Sequence, residues 1–350
     1  MKIYRNKNII ILALFFLLFN PLTSFSQKIL IPMDLSQTDH LKSYGIAYWV
    51  LDKGQVVDWL LNYRGGSFLM DYSDLTAAEC RIRGVFFEVI DGASASMIMA
   101  EVQGNDVNMD LVRLEKPPVV GVYAQPGTQP WDDAVLLVLE YSEIPHEVFW
   151  DEAIMSGKLP KYDWLHLHHE DFTGQYGKFW ANYAHTPWYN EYVTLNENMA
   201  KKLGYKKVSE LKKSVAVKIR EYIANGGFMF AMCSATDTYD IALASLNVDI
   251  CGPMFDGDPV DPNANRKLDF SETLAFENFQ LILDPYIYEH SNIDVTNTSL
   301  NNPDLDYFTL FEFSAKYDPV PTMLTQNHAN IIHGFRSEER RVGKECRSRW

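Results

Sequence analysis

The sequence predicts an α/β protein built on a parallel β-sheet. Short, uninterrupted apolar runs are typical of strands that are buried on both faces. Amphipathic stretches of roughly 10 to 15 residues separate these runs, as crossover helices separate parallel strands. The chain has 350 residues, 47% of them hydrophobic, which is enough for one large or two modest domains.

We predict that the first 26 residues form a signal peptide that is cleaved. Lys2, Arg5 and Lys7 form a positive segment, and the apolar stretch Ile9–Phe19 follows it. This stretch is too short to span a bilayer comfortably, and the small and polar residues up to Ser26 are typical of a cleavage site. We therefore expect an exported protein, periplasmic or secreted, that does not contact a membrane after cleavage.

The last 15 residues, Arg336–Trp350, differ in composition from the rest of the chain. They hold six Lys or Arg and three acidic residues, without a periodic apolar face. The string RSEERRVGKECRSRW resembles a translated vector or adapter sequence. We therefore expect residues 336–350 to be an artefact and the natural chain to continue beyond Phe335.

The net charge of the chain and its lack of nucleotide-binding motifs limit the classes of ligand and macromolecule that we expect it to bind. The formal net charge is −15, although both ends of the chain are basic overall. An acidic surface argues against binding to nucleic acid or to anionic membranes. The sequence lacks a Walker A motif and a Gly-rich dinucleotide fingerprint, so no cofactor is predicted. A small-molecule, peptide or sugar ligand is compatible with this composition.

We predict that residues 27–116 form an N-terminal α/β subdomain in which three strands alternate with three helices. These are, in order, Lys28–Met33, Asp39–Lys53, Val56–Tyr63, Asp74–Arg83, Val85–Ile90 and Ser94–Gln103. Because helices separate the strands, we expect parallel pairing here as well. Lys116-Pro117-Pro118 punctuates the chain, so a second domain is expected over residues 117–335.

The second domain repeats the alternation. The predicted strands are Val119–Tyr123, Val148–Trp150, Tyr162–His168, Phe228–Met232, Ala275–Leu283 and Tyr307–Phe313, and the predicted helices are Asp132–Tyr141, Leu195–Leu203 and Val208–Ala224. Phe228–Met232 is an apolar run that predicts a strand covered on both faces. Trp180–Tyr192 is rich in aromatic residues without a clear period and is interpreted as an irregular insertion or lid.

Cys233 is the candidate nucleophile. It follows the strand Phe228–Met232 and lies between the small residues Ala231 and Ala235. This pattern suits a sharp strand-to-helix turn that presents one side chain above the sheet. The following helix, which begins near Ser234, would lower the pKa of a thiol at its N-terminus. The alternatives are a buried packing cysteine and a disulfide with Cys251.

A second cluster of reactive groups follows the strand Tyr162–His168. Ligands of open parallel sheets bind outside the carboxyl ends of the strands, where His168, His169, Glu170 and Asp171 lie. Alternation along the strand places His166 and His168 on one face and His169 on the other. Imidazole and carboxylate groups suit general acid–base catalysis. The alternatives are a zinc site made by His166, His168 and Asp171 and a satisfied polar loop.

Two loops give weaker signals. Arg64-Gly65-Gly66-Ser67 follows a strand and would bind an anion through its backbone N–H groups, although a plain tight turn explains it equally well. Asp256, Asp258 and Asp261 faintly resemble a calcium loop. The Pro259 ring and the missing Gly and Glu break that pattern, so we interpret this segment as a solvated loop.

The order of elements in the second domain resembles the class I glutamine amidotransferase-like fold, a parallel-sheet Rossmann/flavodoxin-like α/β architecture. The segments that carry the resemblance are PPVVGVY, YDWLHLHHED, VAVKIREYIANGG, FMFAMC and TDTYDIALA. In that fold Cys233 matches the nucleophile, and the pattern G-x-C-x-G of the family corresponds to Ala231–Ala235 here. Its His and Glu partners come late in the chain, so the resemblance implies a general base beyond Phe335.

Residues 28–335 also resemble a family of exported bacterial proteins often labelled "asparagine synthetase B". The stretches QTDHLKSYGIAYW, NYRGGSF, LHHEDFTGQYGKF, AMCSATD and FTLFEFSAKYDPVPTMLTQNH carry this likeness. The chain lacks the N-terminal nucleophilic Cys and the ATP-pyrophosphatase domain that such a synthetase needs. The leading hypothesis is therefore an exported amide hydrolase. The alternatives are a non-enzymatic periplasmic binding protein and a metal-dependent hydrolase.

The hypothesis assigns a role to each candidate residue. The catalytic candidates are Cys233, His168, His169 and Glu170. The substrate-binding candidates are Ser234, Asp171, Arg64, Gly65 and Gly66. No metal ligand belongs to the leading hypothesis.

Overall fold

The computed structural model describes residues 27–127, 133–293 and 334. These residues form a five-stranded antiparallel sheet and a four-stranded parallel sheet. The predicted signal peptide, the strand Tyr307–Phe313 and the tail 336–350 lie outside the described residues.

The N-terminal sheet has the strand order β4-β1-β3-β2-β5, and every neighbouring pair is antiparallel. Its strands are β1 (Lys28–Ile31), β2 (Val57–Leu61), β3 (Ser67–Asp71), β4 (Glu88–Ile90) and β5 (Asp110–Leu114). The prediction of parallel pairing here is wrong. Residues 62–66 connect β2 to β3 directly, and a connection that short permits only antiparallel neighbours. Neither β3 nor β5 was predicted.

Helices cover both faces of this sheet. The helices are α1 (His40–Asp52), α2 (Asp74–Arg83) and α3 (Gly92–Val102). Ile46, Val50 and Cys80 from α1 and α2 pack on one face of the sheet. Ala95 and Val102 from α3 pack on the other. The N-terminal sheet is therefore the middle of three layers.

The second sheet has the order β7-β6-β8-β9, and all its strands are parallel, as predicted. They are β6 (Val120–Tyr123), β7 (His146–Phe149), β8 (Trp164–Leu167) and β9 (Phe228–Ala231). The chain passes from β6 to β7 on one side and then returns to place β8 on the other. The carboxyl ends of β6 and β8 therefore flank a topological switch point, where open α/β sheets bind their ligands.

Eight helices accompany this sheet within the described ranges. They are α4 (Ala134–Tyr141), α5 (Asp151–Met155), α6 (Trp180–Tyr183), α7 (Pro187–Lys202), α8 (Val208–Ala224), α9 (Ser234–Ala244), α10 (Pro253–Asp256) and α11 (Ala264–Lys267). Leu136 and Leu139 of α4 pack on Val120 and Val122 at one face of the sheet. Helices α8 and α9 belong to the large hydrophobic cluster on the other face.

β9 differs from its prediction. Among the described residues it pairs only with β8, so it forms an edge of the sheet. Met229 and Ala231 pack against the large hydrophobic cluster, but Phe228 and Phe230 on the opposite face are 43% and 42% exposed. The prediction that both faces are covered is therefore wrong, because an apolar run identifies a strand without locating its neighbours.

Two other predictions are corrected. Most of Trp180–Tyr192 is helical rather than irregular: α6 occupies its start, and α7 begins at Pro187, a residue that helices favour in their first turn. Ala275–Leu283 does not form a regular strand. It contributes isolated bridge residues, among them Leu281, which pairs with Ser291.

Candidate active site

Cys233 occupies a strained turn between β9 and α9. Its φ is 51° and its ψ is −138°, a positive-φ conformation that side-chain-bearing residues rarely adopt. The side chain is exposed at the N-terminus of an 11-residue helix. The geometry agrees with the predicted strand-to-helix turn that presents Cys233 to solvent.

The other two described cysteines differ from Cys233. Cys80 and Cys251 are buried, and none of the three is in a disulfide. Burial raises the pKa of Cys80 to about 12 and raises that of Cys251 as well. The Cys251 thiol donates to the carbonyl oxygen of Thr173 at 3.3 Å. The alternatives of a buried Cys233 and of a Cys233–Cys251 disulfide are therefore wrong.

Backbone hydrogen bonds join the Cys233 turn to the loop that follows β8. The N–H of Ala235 donates to the carbonyl oxygen of His168 at 3.2 Å. The hydroxyl of Thr238 donates to the carbonyl oxygen of Glu170 at 2.9 Å. Two stretches more than 60 residues apart in sequence thus meet at one edge of the sheet. This is where the sequence predicted a site.

His166 and His168 lie on the same face of β8, as their alternation predicts. Their rings are stacked, with centroids 6.2 Å apart. The carboxylate of Asp133 lies against both imidazoles: Oδ2 is 3.1 Å from Nε2 of His166, and Oδ1 is 3.6 Å from Nδ1 of His168. Asp133 is buried and caps α4 by accepting from the N–H of Val135.

Asp133 was not predicted to be a site residue. The available signal was an Asp at a predicted helix start, which is common and has a structural explanation. Its proximity to the imidazoles depends on β6 and β8 being neighbours, and the sequence does not specify the strand order.

The surroundings of Asp133 and His168 shift the pKa values of both side chains. Burial alone would raise the pKa of Asp133, but hydrogen bonds from His166 and from the N–H of Leu136 bring it down to about 2. Burial lowers the pKa of His168, and the negative charge of Asp133 opposes this shift. Asp133 is therefore a carboxylate at neutral pH, and His168 favours the neutral imidazole that can accept a proton.

Glu170 behaves in the opposite way to Asp133. Burial raises its pKa to about 8, and the hydrogen bond from the N–H of His168, 2.8 Å long, opposes that shift only in part. At neutral pH most Glu170 side chains are consequently protonated. Glu170 lies in the predicted loop, but as a carboxylic acid rather than a carboxylate.

Asp171 does not join the other candidates. Its carboxylate is buried and accepts from the N–H and hydroxyl of Thr173 and from the N–H of Gly177. His290 lies on its other side, with Nε2 3.7 Å from Oδ1. These contacts shape the loop after β8, so His166, His168 and Asp171 do not assemble into the zinc site considered as an alternative.

The same loop is held by a buried lysine. Tyr176, Gly177 and Lys178 all have positive φ. Lys178 donates from Nζ to the carbonyl oxygens of Ile282 at 2.6 Å and Glu289 at 2.7 Å. Burial lowers the pKa of Lys178 to about 8. These bonds connect the loop after β8 to residues 282–289.

Ser234 and the turn Arg64–Gly66 have different surroundings. Ser234 directly follows Cys233 as the first residue of α9. The guanidinium of Arg64, in the connection between β2 and β3, is paired with Asp34 at 2.6 Å and with Glu88 at 2.8 Å. Substrate binding by Arg64, Gly65 and Gly66 stays a prediction, and the two ion pairs give Arg64 a structural role.

Among the described residues, Asp249, Cys251 and Asp256 are the one group spaced for a metal ion. A protein cation already lies there, since Nζ of Lys207 is 2.8 Å from Asp249 and 3.0 Å from Asp256. Lys207 also pairs with Asp258. The lysine charge accounts for this acidic loop without a calcium ion.

A buried ionic cluster lies at the carboxyl end of β6. Lys212 donates from Nζ to Asp151 at 2.9 Å and to the hydroxyl of Tyr123 at 2.9 Å. The Tyr123 hydroxyl in turn donates to Asp151. The Lys212 ammonium also lies 5.0 Å from the ring centroid of Trp150. All three charged or polar partners are buried, so the cluster ties β6, α5 and α8 together.

A groove of about 730 Å³ lies elsewhere, beside the start of α8 and residues 246–249. Its lining includes Tyr205, Glu210 and Lys213 but no residue of the Cys233 turn or of the loop after β8. Cys233 is exposed, and its turn is hydrogen-bonded to the loop that carries His168, so we regard the Cys233 turn rather than the groove as the candidate active site.

None of the helices in the described ranges is long and apolar enough to cross a membrane. No protein-family model, no curated protein and no solved structure matches this chain.

Proposed function

We propose that the protein is an exported amide hydrolase of the class I glutamine amidotransferase-like fold, with Cys233 as its nucleophile. The conformation of Cys233 carries this proposal. A thiol held at positive φ, exposed, and placed at the N-terminus of a helix is arranged for reaction rather than packing. Strain of this kind persists only where the surrounding structure maintains it.

The strand order is compatible with the proposed fold. β7-β6-β8-β9 corresponds to the first four positions of the flavodoxin-like order 2-1-3-4-5. The thiol follows the fourth of these strands, and the imidazole cluster follows the third. Both groups therefore lie at the edge of the sheet where ligands bind.

The proposed reaction proceeds through a thioester. A base removes the thiol proton of Cys233, and the sulfur attacks the amide carbonyl carbon. The C–N bond breaks as the leaving amine takes a proton, and water then hydrolyses the thioester and restores the thiol. The backbone N–H of Ser234, next to the nucleophile, is suited to stabilise the oxyanion. His168, His169 and Glu170 are the candidate acids and bases.

The lack of nucleotide motifs favours hydrolysis over ATP-dependent synthesis. The experiment is to incubate the protein with primary amides, including glutamine and asparagine, and to measure ammonia release. We expect activity that falls by about three orders of magnitude or more in Cys233→Ala, with a thioester detectable by mass spectrometry in the wild type. The matched control is Cys80→Ala, a buried cysteine on helix α2, which packs against the other sheet.

Two results would reject Cys233 as the nucleophile. One is a Cys233 thiol that iodoacetamide does not alkylate in the folded protein. The other is amide hydrolysis that survives in Cys233→Ala.

A ligand-binding role without catalysis is the second candidate, because aromatic residues gather on the surface. Tyr183, Trp188, Tyr286 and Tyr288 are exposed, and the rings of Tyr183 and Trp188 lie 5.1 Å apart. Exposed Tyr and Trp present a flat apolar face together with a polar edge, which suits a sugar ligand. Binding of oligosaccharides by Cys233→Ala, lost in Trp188→Ala, would favour this role.

A further inference from the structure

We propose that Asp133 positions His168 as the imidazole that takes the proton of the Cys233 thiol. The inference rests on the proposed function and deepens it, because it selects one base from three candidates. It also places that base within the described chain rather than beyond Phe335, where the resemblance to class I amidotransferases implied it.

The backbone places His168 beside Cys233. β8 and β9 are parallel neighbours, with Leu167 paired to Ala231. His168, one residue past the end of β8, therefore lies level with Met232, and Cys233, two residues past the end of β9, is its diagonal neighbour. Neighbouring strands lie about 4.8 Å apart, and the hydrogen bond from Ala235 to the His168 carbonyl keeps the two strand ends together.

Asp133 sets the orientation of the His168 ring. Its Oδ1 lies 3.6 Å from Nδ1 of His168, and that nitrogen is buried without a hydrogen-bond partner among the described residues. A proton on Nδ1 then faces the carboxylate, which leaves the lone pair on Nε2 for the thiol proton. In the transfer the S–H bond breaks, an N–H bond forms at Nε2, and the resulting imidazolium lies against the Asp133 charge.

Asp133 is itself held by other groups. His166 is fully buried, and its Nε2 is 3.1 Å from Oδ2 of Asp133. The N–H groups of Val135 and Leu136 donate to Oδ1 at 2.8 and 3.1 Å. The carboxylate is therefore fixed by β8 and by the first turn of α4, and its position does not depend on His168. Catalytic hydrogen bonds are often longer before substrate binds, which accommodates the 3.6 Å separation.

The other two candidates lack this arrangement. His169 is exposed and forms no ion pair with a carboxylate in the part of the chain that the structure describes. Glu170 holds its proton up to a pKa of about 8, so it is a poor proton acceptor at neutral pH. The groups facing His168 are Asp133 from α4, His166 from β8, and His169 and Glu170 from its own loop.

The test measures the reactivity of Cys233 and needs no substrate. The full-length chain is treated with iodoacetamide from about pH 5 to about pH 9, and the peptide containing Cys233 is quantified by mass spectrometry. The first variant is Asp133→Asn, which keeps a side-chain oxygen to cap α4 but removes the charge. The second is His168→Gln. The matched control is Asp91→Asn, at another helix cap, where Asp91 accepts from Ser94.

We expect Asp133→Asn to lower the alkylation rate at pH 7 by about tenfold and to move the pH midpoint up by about one unit. His168→Gln is expected to do the same or more, and Asp91→Asn to leave the profile unchanged. Nitrogen NMR of the wild type provides a measurement that needs no substitution, with His168 expected as the tautomer protonated at Nδ1.

Several results would overturn the inference: a folded Asp133→Asn protein with the wild-type profile, an unchanged profile in His168→Gln, or a wild-type His168 protonated at Nε2. If Asp133→Asn fails to fold, the His168→Gln profile and the NMR tautomer decide the question. A protein that shows the expected shifts but hydrolyses no amide would support the inference and reject the proposed hydrolase.

Discussion

Arg64 and Cys233 are both side-chain-bearing residues at positive φ, with φ values of 46° and 51°, and each follows a β-strand. Their side chains differ in what they contact. The Arg64 guanidinium forms ion pairs with Asp34 and Glu88, whereas the Cys233 thiol is exposed. Backbone strain therefore marks both turns, but only the second presents a reactive group to solvent.

The carboxyl groups near the two turns also shift in opposite directions. Hydrogen bonds from Arg64 and Ser36 hold the pKa of Asp34 well below its usual range. Burial raises the pKa of Glu170 to about 8. At the Arg64 turn the charged side chains are therefore paired with one another. Near the Cys233 turn, by contrast, Glu170 can gain or lose a proton close to neutral pH. This difference can be tested at four positions.

The largest effect on stability is expected at the buried ionic cluster at the carboxyl end of β6. Lys212→Met leaves Asp151 and Tyr123 buried without their cation and should lower the free energy of unfolding by about 3 to 5 kcal/mol. Urea unfolding measures the change. The control is Lys218→Met on the same helix, an exposed lysine paired with Glu221. Equal losses from the two variants would contradict the assigned role of the cluster.

The second effect concerns pH. Because the folded pKa of Glu170 is raised, the folded protein binds a proton that the unfolded chain releases above about pH 4.5. This contribution to stability is complete at lower pH and is lost as pH rises to about 8. In Glu170→Gln the free energy of unfolding should fall less steeply over this window. Urea titrations at several pH values would contradict the shift if wild type and variant fall in parallel.

A smaller effect is expected at the Arg64 turn. Arg64→Met removes two partly exposed ion pairs, which water and salt screen, so the loss of stability should be smaller than in Lys212→Met and should shrink in high salt. The control is Arg113→Met, whose pair with Glu115 is more exposed. Alkylation of Cys233 should not change. Slower alkylation would instead connect Arg64 to the site and strengthen its prediction as a substrate-binding residue.

The smallest effect on stability is expected when backbone strain at the two turns is relieved by glycine. Cys233→Gly should raise the free energy of unfolding by about 1 kcal/mol, because Gly adopts positive φ at little steric cost. Arg64 lies in the left-handed helical region, with φ 46° and ψ 47°, where strain is smaller. Arg64→Gly also removes the ion pairs, so no comparable gain is expected. Thermal unfolding of both variants provides the comparison. A destabilised Cys233→Gly would show that the Cys233 turn is not strained.

The sequence predicted those parts of the fold that depend on local pattern. The strands of the parallel sheet, the Cys233 turn and the shared face of His166 and His168 all follow from periodicity and spacing. The antiparallel pairing of β1 to β5 did not follow, since it depends on the five-residue connection after β2 and on two strands whose patterns were not recognised. Asp133 was missed because its contact with His166 spans 33 residues and requires the strand order.

The hydrogen bonds of Lys178 affect the order in which parts of the structure unfold locally. Its hydrogen bonds to Ile282 and Glu289 span 104 and 111 residues of sequence. Closing loops of that length costs chain entropy that local contacts do not require, and contacts of this separation form late in folding. Residues 282–290 contain little regular structure to hold them otherwise. Their amides should therefore exchange hydrogen for deuterium before those of α8 and α9, through a local opening that leaves the parallel sheet intact.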